Sequence, residues 1–280
     1  MTQAVPSSST APSTSSVQRT PLVPSTKQAV EYWLTTYRRN WKGSVLTSFL
    51  SPVLFLAAMG LGLGSLIDAE VTSPNHLSGL DYLDFLAPGL LAGNAMLLAV
   101  NESTYPVLGG FKWYRTYTAM AASPLEGKQI LLGHFVYMAF RVALASFVFL
   151  GVMAAFGSVG SPLAVLAPIA AVLCGMAFAT PTAALVATRT QADNFSTFTR
   201  FVIMPMFLFS GTFYPVSQLP VVLEQIAWLT PVWHGVRLCR ALCTGDNVDW
   251  TLVGHAAYLV ALIFVGIAAA RYTFARRLYE

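Results

Sequence analysis

The stretch from Phe198 to Gly245 constrains the fold most, because it is strongly apolar and yet interrupted by prolines. Its first part, to Phe213, is apolar enough to cross a bilayer. Two further apolar pieces follow, Leu219–Leu229 and Val232–Leu242, and each would be about 16 Å long as a helix. A spanning helix needs about 20 residues, so neither piece can cross. We therefore predict two short helices that enter the membrane and return, since non-helical backbone at that depth must lie against protein or water.

The whole chain has the composition of a membrane protein. Hydrophobic residues make up 55% of its 280 residues and charged residues only 10%, whereas soluble domains carry about 25% charged residues. The formal net charge of +4 does not indicate nucleic-acid binding, because membrane proteins carry excess Lys and Arg in their cytoplasmic loops. Three cysteines do not make a disulfide framework. The composition predicts an all-α, polytopic membrane protein.

Long apolar runs divide the chain into a tail and a six-span domain. Residues 1–26 hold sixteen Ser, Thr or Pro residues and predict a disordered cytoplasmic tail. Residues 27–42 predict an amphipathic helix in the cytoplasmic interface, with a cytosolic helix packed on a partner as the alternative. The predicted spans of the domain at 27–280 are Ser44–Ile67, Asp84–Tyr105, Gln129–Phe156, Pro162–Ala187, Phe198–Phe213 and Trp250–Tyr272.

The distribution of positive charge predicts the orientation. Thirteen of the sixteen Lys and Arg residues lie in 1–43, 105–128, 187–200 and after 270, which a six-span chain places on one side. Since cytoplasmic loops carry this excess, both termini are expected in the cytoplasm and the chain in the plasma (inner) membrane. The helical pair within 214–245 is then expected at the outer face, in contact with membrane lipid.

This pair is a candidate outer gate. Prolines interrupt the helix at the needed turns, and indole rings flanking Pro231 can anchor it at the membrane interface. The positive-inside rule disfavours Arg237 and Arg240 on this side, so lipid phosphate or Glu224 is expected to offset their charge. The residues assigned to the gate are Tyr214, Pro215, Pro220, Trp228, Pro231, Trp233, His234, Arg237 and Arg240.

Four of the polar residues inside predicted spans are candidates for a transport path or an interface. Asn94 and Asn101 are seven residues apart, so they share a helix face, and Glu102 follows directly. Such a strip faces protein or water, either as part of a transport path or subunit interface, or in hydrogen bonds between helices. Arg141 is costly in a span and either pairs with Glu102 or reaches the interface, or else contacts an anionic substrate.

Several motifs carry a resemblance to a known family. They are LFSGTFYPVSQLP at 208–220, TPVWH at 230–234 and R-x-L-x-x-G ending at Gly245, with DFLAPGLLAG and NESTY upstream. Together they resemble the type-2 ATP-binding-cassette exporter permeases, and in particular the nodulation-type branch that exports lipo-oligosaccharides. The resemblance implies export of an amphiphile such as a glycolipid, a lipid-linked saccharide or a drug. It also implies a permease homodimer, with ATP and Mg²⁺ bound by separate ATPase subunits.

The same resemblance implies that the cytoplasmic segment 105–128 docks on the ATPase. The motif K-x-x-x-T-Y-T-A-M-x-A-S-P-L begins at Lys112, and Phe111–Ala122 would be the coupling helix. The family usually has an acidic residue just after the following glycine, whereas this chain has His134. The residues assigned to coupling are Phe111, Lys112, Trp113, Tyr114 and Arg115.

No catalytic residue, metal site or cofactor is predicted in this chain. The sequence lacks the G-x-x-x-x-G-K-[ST] phosphate loop, so any ATP would be hydrolysed by another chain, and the four histidines lack metal-ligand spacing. The alternative is a polytopic membrane enzyme such as a lipid-linked transferase, which acids in the first outer loop would support: Asp68, Glu70, Asp81 and Asp84. A third class, a channel or secondary transporter, would show internal repeats, and none is seen.

Overall fold

A computed structural model describes residues 22–64, 80–246 and 248–279. Most of the predicted tail, the last residues of the predicted first span and the outer-loop acids Asp68 and Glu70 lie outside these ranges. Every regular element within them is helical, as the sequence predicts.

The helices are numbered in chain order as α1, Leu22–Leu56; α2, Tyr82–Ser103; α3, Tyr105–Lys112; α4, Thr116–Ala121; α5, Gly127–Ala155; α6, Ala167–Ala187; α7, Asp193–Phe198; α8, Met204–Leu208; α9, Val221–Leu229; α10, Pro231–Thr244; and α11, Thr251–Tyr279. Two π-helical segments, Ala57–Gly64 and Thr199–Ile203, extend α1 and join α7 to α8. Two 3₁₀ turns, Pro162–Leu166 and Val216–Gln218, precede α6 and α9.

Four segments of the described residues are long and apolar enough to cross a membrane: Tyr82–Lys112, Gly127–Ala155, Pro162–Ala187 and Thr251–Tyr279. They coincide with the predicted second, third, fourth and sixth spans, which confirms an all-α, polytopic membrane protein. The first of them extends beyond its predicted end, because α3 continues α2 after a single irregular residue, Thr104.

Helix α1 joins two regions that the sequence predicts as separate. An interfacial helix ending at residue 42 and a span beginning at Ser44 are expected, but α1 is continuous through Gly43. An interior glycine costs a helix about 1 kcal/mol, and the packing of α1 along α5 offsets that cost. The helix also begins at Leu22, inside the predicted tail. Pro24 lies in its first turn, where the missing N–H of proline is not needed.

The predicted fifth span, Phe198–Phe213, ends too late. The apolar helical segment here runs from Phe195 to Leu208. Gly211 then adopts a φ of 78°, a left-handed conformation that only glycine takes readily. Ser210 Oγ donates to the carbonyl oxygen of Phe207 at 2.6 Å and closes the helix end. Residues 209–213 therefore form a bend that leads towards α9.

Helix α6 lies at the centre, packed against α2, α5, α10 and α11. Small residues allow these close contacts. A Cβ at Gly175 of α6 would lie 2.9 Å from the carbonyl oxygen of Ala95 in α2, and one at Gly266 of α11 would overlap Oγ1 of Thr180. Small residues at helix contacts are typical of membrane proteins, where backbones must approach closely to pack.

Candidate functional site

Helices α9 and α10 form the helical pair that the sequence predicts. Both are too short to cross a membrane, and they meet at Thr230, whose backbone is extended with φ −80° and ψ 137°. Pro231 occupies the first turn of α10, where proline is tolerated. The Thr230 hydroxyl donates to the carbonyl oxygen of Ala227 at 2.7 Å, and Tyr258 of α11 donates to that of Leu229 at 2.6 Å. We call Val221–Thr244 the hairpin.

Arg240 fixes the hairpin to the rest of the protein. Its Nε and Nη2 donate to the carbonyl oxygen of Phe85 at 3.1 and 3.0 Å, and Nη2 also donates to that of Gly211 at 2.9 Å. The guanidinium carbon lies 3.8 Å from the centre of the Phe85 ring, a cation–π contact. One side chain therefore ties α10 to the start of α2 and to the bend after α8.

Among the described residues Glu224, which the sequence offers as a partner for Arg240, forms no ion pair with it, and the lipid-phosphate alternative stays a prediction. The partners are main-chain carbonyls, each of which has two lone pairs and so can accept a second hydrogen bond. The approach depends on Gly89, where a Cβ would lie 3.3 Å from Arg240 Nη2 and 2.9 Å from the Cα of Thr212. Arg237, one turn earlier, is exposed.

A cleft of about 500 Å³ opens beneath the hairpin. Five of the nine residues assigned to the gate line it: Pro215, Trp228, Trp233, Arg237 and Arg240. Glu224, which the sequence suggests as a partner for the two arginines, and Asp246 bring carboxyl groups to the same cleft. Hydroxyl groups come from Ser210, Ser217 and Thr244. The volume lies within the range of small-molecule sites, and the lining mixes apolar side chains with charged and hydroxyl-bearing ones. We call it the hairpin cleft.

Four of the residues assigned to the gate do not line the cleft: Tyr214, Pro220, Pro231 and His234. Pro220 precedes α9, and Pro231 begins α10. His234 instead faces α11, where its Nδ1 lies 2.7 Å from Nδ1 of His255 and its ring stacks on Tyr258 at 4.1 Å. One of the two Nδ1 atoms must carry the proton that the other accepts.

His255 and Tyr258 are site residues that sequence reasoning missed. They are three apart on α11, so they share one face, and that spacing is the signal that was available. Together with the Leu229 hydrogen bond they hold the tip of the hairpin against α11.

Arg141 pairs with Glu102, one of the two partners the sequence left open. Arg141 Nη2 lies 3.1 Å from Glu102 Oε1, and the two side chains are 17% and 14% exposed. Arg141 Nη1 also donates to the Tyr137 hydroxyl at 3.5 Å, and its guanidinium lies 5.2 Å from the centre of the Tyr37 ring. The pair thus joins α1, α2 and α5. Asn94 is half-buried and Asn101 exposed, and their role stays a prediction.

The predicted coupling helix is two helices. α3 ends at Lys112 and α4 begins at Thr116, because Arg115 adopts a left-handed backbone conformation with φ 49°. Trp113 and Tyr114 in the turn are 52% and 79% exposed. Phe111 instead packs inward against Tyr117 and Phe274, so the assigned coupling residues do not share one surface.

A second, shallower cleft of about 390 Å³ lies beside this turn. It is lined by Phe111, Lys112, Arg115, Thr190, Gln191 and Arg277, and we call it the basic cleft. Lys112 Nζ donates to the carbonyl oxygen of Thr190 at 3.1 Å. Arg277 Nη1 donates to those of Val186 and Ala187, both at 3.1 Å, at the end of α6. Cations are favoured at this helix terminus by the partial negative charge of its carbonyls.

A buried polar cluster links α4 to α1 and α5. The Tyr117 hydroxyl and His134 Nδ1 lie 2.5 Å apart, and the Trp33 ring stacks on His134 at 4.3 Å. A Cβ at Gly133 would lie 2.5 Å from that of Ala29, so the glycine lets α1 approach α5 at this point. His134 therefore holds α4 against α1 and α5.

The chain was compared with known proteins. The sequence profile described as ABC-2 type transporter matches residues 27–243, which include nearly the whole hairpin and the segment around α3 and α4. The chain belongs to the ABC-2 type transporter family. This confirms the resemblance read from the motifs, and the hairpin and its cleft are features of an ABC-2 permease.

Three relatives show which members of the family the chain is similar to. It is 32% identical to nodulation protein J of Rhizobium leguminosarum bv. viciae, over 85% of this chain and 93% of that protein. It is 26% identical to nodulation protein J of Rhizobium meliloti (strain 1021), over 85% and 92%. It is also 27% identical to the daunorubicin resistance ABC transporter permease protein DrrB1 of Streptomyces coeruleorubidus, over 71% and 69%.

Proposed function

We propose that this chain is the permease subunit of an exporter that moves an amphiphile outward across the plasma membrane, driven by ATP hydrolysis on a separate ATPase chain. The names of the relatives support export, since one is a nodulation protein and another a drug-resistance permease. The observation that carries the proposal is the hairpin cleft. It brings charged and aromatic groups together within an assembly of apolar helices.

The chemistry of the hairpin cleft suits the polar end of an amphiphile. Glu224 and Asp246 balance Arg237 and Arg240 in formal charge, and Trp228 and Trp233 lie with ring centres 6.3 Å apart. A polar head can bind among these groups while an apolar tail remains in the surrounding lipid. The hairpin forms one wall and would gate release.

The orientation follows from charge. With the Lys- and Arg-rich segments in the cytoplasm, the hairpin is at the outer face, and α3 and α4 are at the cytoplasmic face. The exposed Tyr114 and the exposed Thr118 and Ala119 of α4 then form a surface on which the ATPase docks. Movement of the ATPase would reach the spans through the Tyr117–His134 contact.

A second copy of the chain completes the pathway in this proposal. Large apolar side chains are exposed on α1 and near α8, including Phe49 and Leu54 at 50% and 59% and Phe201 and Leu208 at 76% and 51%. Lipid or a second permease can cover such surfaces. A homodimer is the simplest arrangement, because one chain with so few spans encloses little space.

Purification and vesicle transport together test the proposal. The tagged full-length chain should co-purify with an ABC ATPase, and inverted membrane vesicles should accumulate an amphiphile only when ATP is supplied. Daunorubicin and a fluorescent acylated oligosaccharide serve as probes. Absence of any co-purifying ATPase, together with probe movement that ignores ATP, would instead assign the chain to channels or secondary transporters.

A further inference from the structure

The basic cleft concentrates positive charge without a matching carboxylate. Lys112, Arg115 and Arg277 line it, and no acidic residue does. In the part of the chain that the structure describes, the ion pairs lie elsewhere, at Lys27–Glu31, Lys128–Glu126 and Arg141–Glu102. Three like charges around one small space repel one another, so the cleft is complementary to an anion.

Two of these cations are held in place and retain unused donors. An ammonium group has three N–H donors and a guanidinium five. Lys112 uses one of them on Thr190, and Arg277 uses Nη1 on two carbonyl oxygens at the end of α6. Stacking of Arg277 on Phe111, with the guanidinium carbon 4.4 Å from the ring centre, fixes its position further. The cleft is therefore preorganised, with its remaining donors available to a ligand.

The third cation sits on an unusual backbone. Arg115 has φ 49° and ψ 30°, a conformation in which glycine and asparagine are favoured and other residues are uncommon. Backbone outliers of this kind concentrate at functional sites. Glycine or asparagine would suit this backbone conformation but would bring no charge to the cleft. The positive charge of the side chain is therefore the better explanation for an arginine at position 115.

The depth of the basic cleft identifies the source of the anion. Lys112 is the last residue of the membrane segment Tyr82–Lys112, and Ala187 is the last residue of Pro162–Ala187. Arg277 lies in the last turn of the third wall, α11. The cleft therefore lies where three membrane helices end, which is the level of the lipid headgroups. Basic pockets between spans on the cytoplasmic side bind anionic headgroups.

We infer that the basic cleft is a binding site for the phosphate group of an anionic phospholipid, held by Lys112, Arg115 and Arg277. The site is independent of the exported substrate and of the proposed export function. Its role is to fix the ends of α3, α6 and α11 to one another through a bound lipid, next to the turn that leads into α4.

Lipid retention by the purified full-length chain tests the site. The chain is purified in a neutral detergent and titrated with short-chain phosphatidylglycerol, with phosphatidylcholine of the same acyl length, and with inorganic phosphate. Arg115→Asn removes the charge and keeps a residue that tolerates the backbone. Lys112→Gln removes a second charge. Arg271→Gln is the matched control, because Arg271 is an exposed arginine on α11 that does not line the cleft.

Phosphatidylglycerol should bind and phosphatidylcholine should not. Arg115→Asn and Lys112→Gln should each weaken binding by about fivefold, with Arg271→Gln unchanged and the thermal unfolding temperature of Arg115→Asn not lowered. Equal binding of the two lipids, or equal weakening by Arg271→Gln, overturns the site. Displacement by inorganic phosphate at the same concentration as the lipid would make it a free-phosphate site instead. If Arg115→Asn abolishes ATPase co-purification but leaves lipid binding intact, the cleft docks an acidic protein surface and the lipid assignment is wrong.

Discussion

The guanidinium of Arg240 donates twice to the carbonyl oxygen of Phe85, at 3.1 and 3.0 Å, and covers the ring of the same residue. Arg240 thereby joins the hairpin to the beginning of α2, where it contacts both the main chain and the side chain of Phe85.

We predict that Arg240→Gln destabilises the protein by about 2–3 kcal/mol, because hydrogen bonds to a charged group are lost and two carbonyl oxygens keep fewer partners. Arg240→Lys should destabilise the protein less than Arg240→Gln does, but it should not be neutral, since an ammonium cannot reproduce the planar fork of donors. Thermal unfolding in detergent, with limited proteolysis of the hairpin, measures the effect. Arg237→Gln is the matched control, and equal destabilisation by both variants would contradict the role of Arg240.

The Glu102–Arg141 pair predicts strong coupling in a double-mutant cycle. Arg141→Met or Glu102→Gln alone should cost about 3 kcal/mol, because each removes a partner from a largely buried ion pair. The double variant should cost clearly less than the two single changes together, since it leaves no unpaired charge. Unfolding in detergent reports all four corners of the cycle. Strict additivity would show that the contact contributes nothing as a pair.

The surface at Tyr114 and α4 predicts a separable coupling defect. Ala119→Glu adds a charge to the proposed interface and Tyr114→Ala truncates an exposed ring. Each should lower substrate-stimulated ATP hydrolysis of the reconstituted complex by about tenfold, which corresponds to about 1.4 kcal/mol. Neither change should lower the unfolding temperature, since Ala119 and Tyr114 are exposed. Val248→Glu adds the same charge at an exposed site beside the hairpin and serves as control. Unchanged stimulation in both α4 variants would place the docking surface elsewhere.

The hairpin cleft makes a prediction about sidedness. Ser217 precedes the hairpin and Thr244 is its last residue, and both line the same cleft, so both must be reached from the same side of the membrane. Single cysteines there, with the buried Cys174, Cys239 and Cys243 replaced by alanine, should both react with a membrane-impermeant thiol reagent added outside. Bulky labels at Ser217→Cys should also slow export while ATPase assembly persists.

The decisive result for this prediction is labelling from opposite sides. Reaction of Ser217→Cys only from outside and of Thr244→Cys only from inside would mean that the hairpin crosses the membrane, and both the re-entrant fold and the gate would then be wrong.

Hydropathy and proline spacing were enough to predict the long spans and the two short helices of the hairpin, because both depend on the length of apolar runs. The Glu102–Arg141 pair was also accessible, since so few charges occur within spans that the choice of partner is small. A charge inside an apolar layer needs an opposite charge close by, so the few charged residues within spans are expected to pair with one another.

Other features depend on tertiary contacts that leave little trace in sequence. The partners of Arg240 are main-chain carbonyls, which every residue carries, so they cannot be predicted from residue type. The break between α3 and α4 is made by Arg115, whereas the turn signal in the sequence, Gly109-Gly110, lies inside α3. The continuity of α1 through Gly43 was missed because a glycine between a polar and an apolar segment resembles a boundary.

Because α1 is unbroken from Leu22 to Leu56, movement of its N-terminal half would be transmitted to its C-terminal half. The close contact of Ala29 with Gly133 lies near one end, and Leu56 lies roughly 40 Å away along the axis at 1.5 Å per residue. A rotation of about 10° around that contact would displace the far end by roughly 7 Å. A small tilt at the level of Trp33 and His134 would therefore be magnified at the opposite end of α1 if the helix stays straight through Gly43 and Pro52.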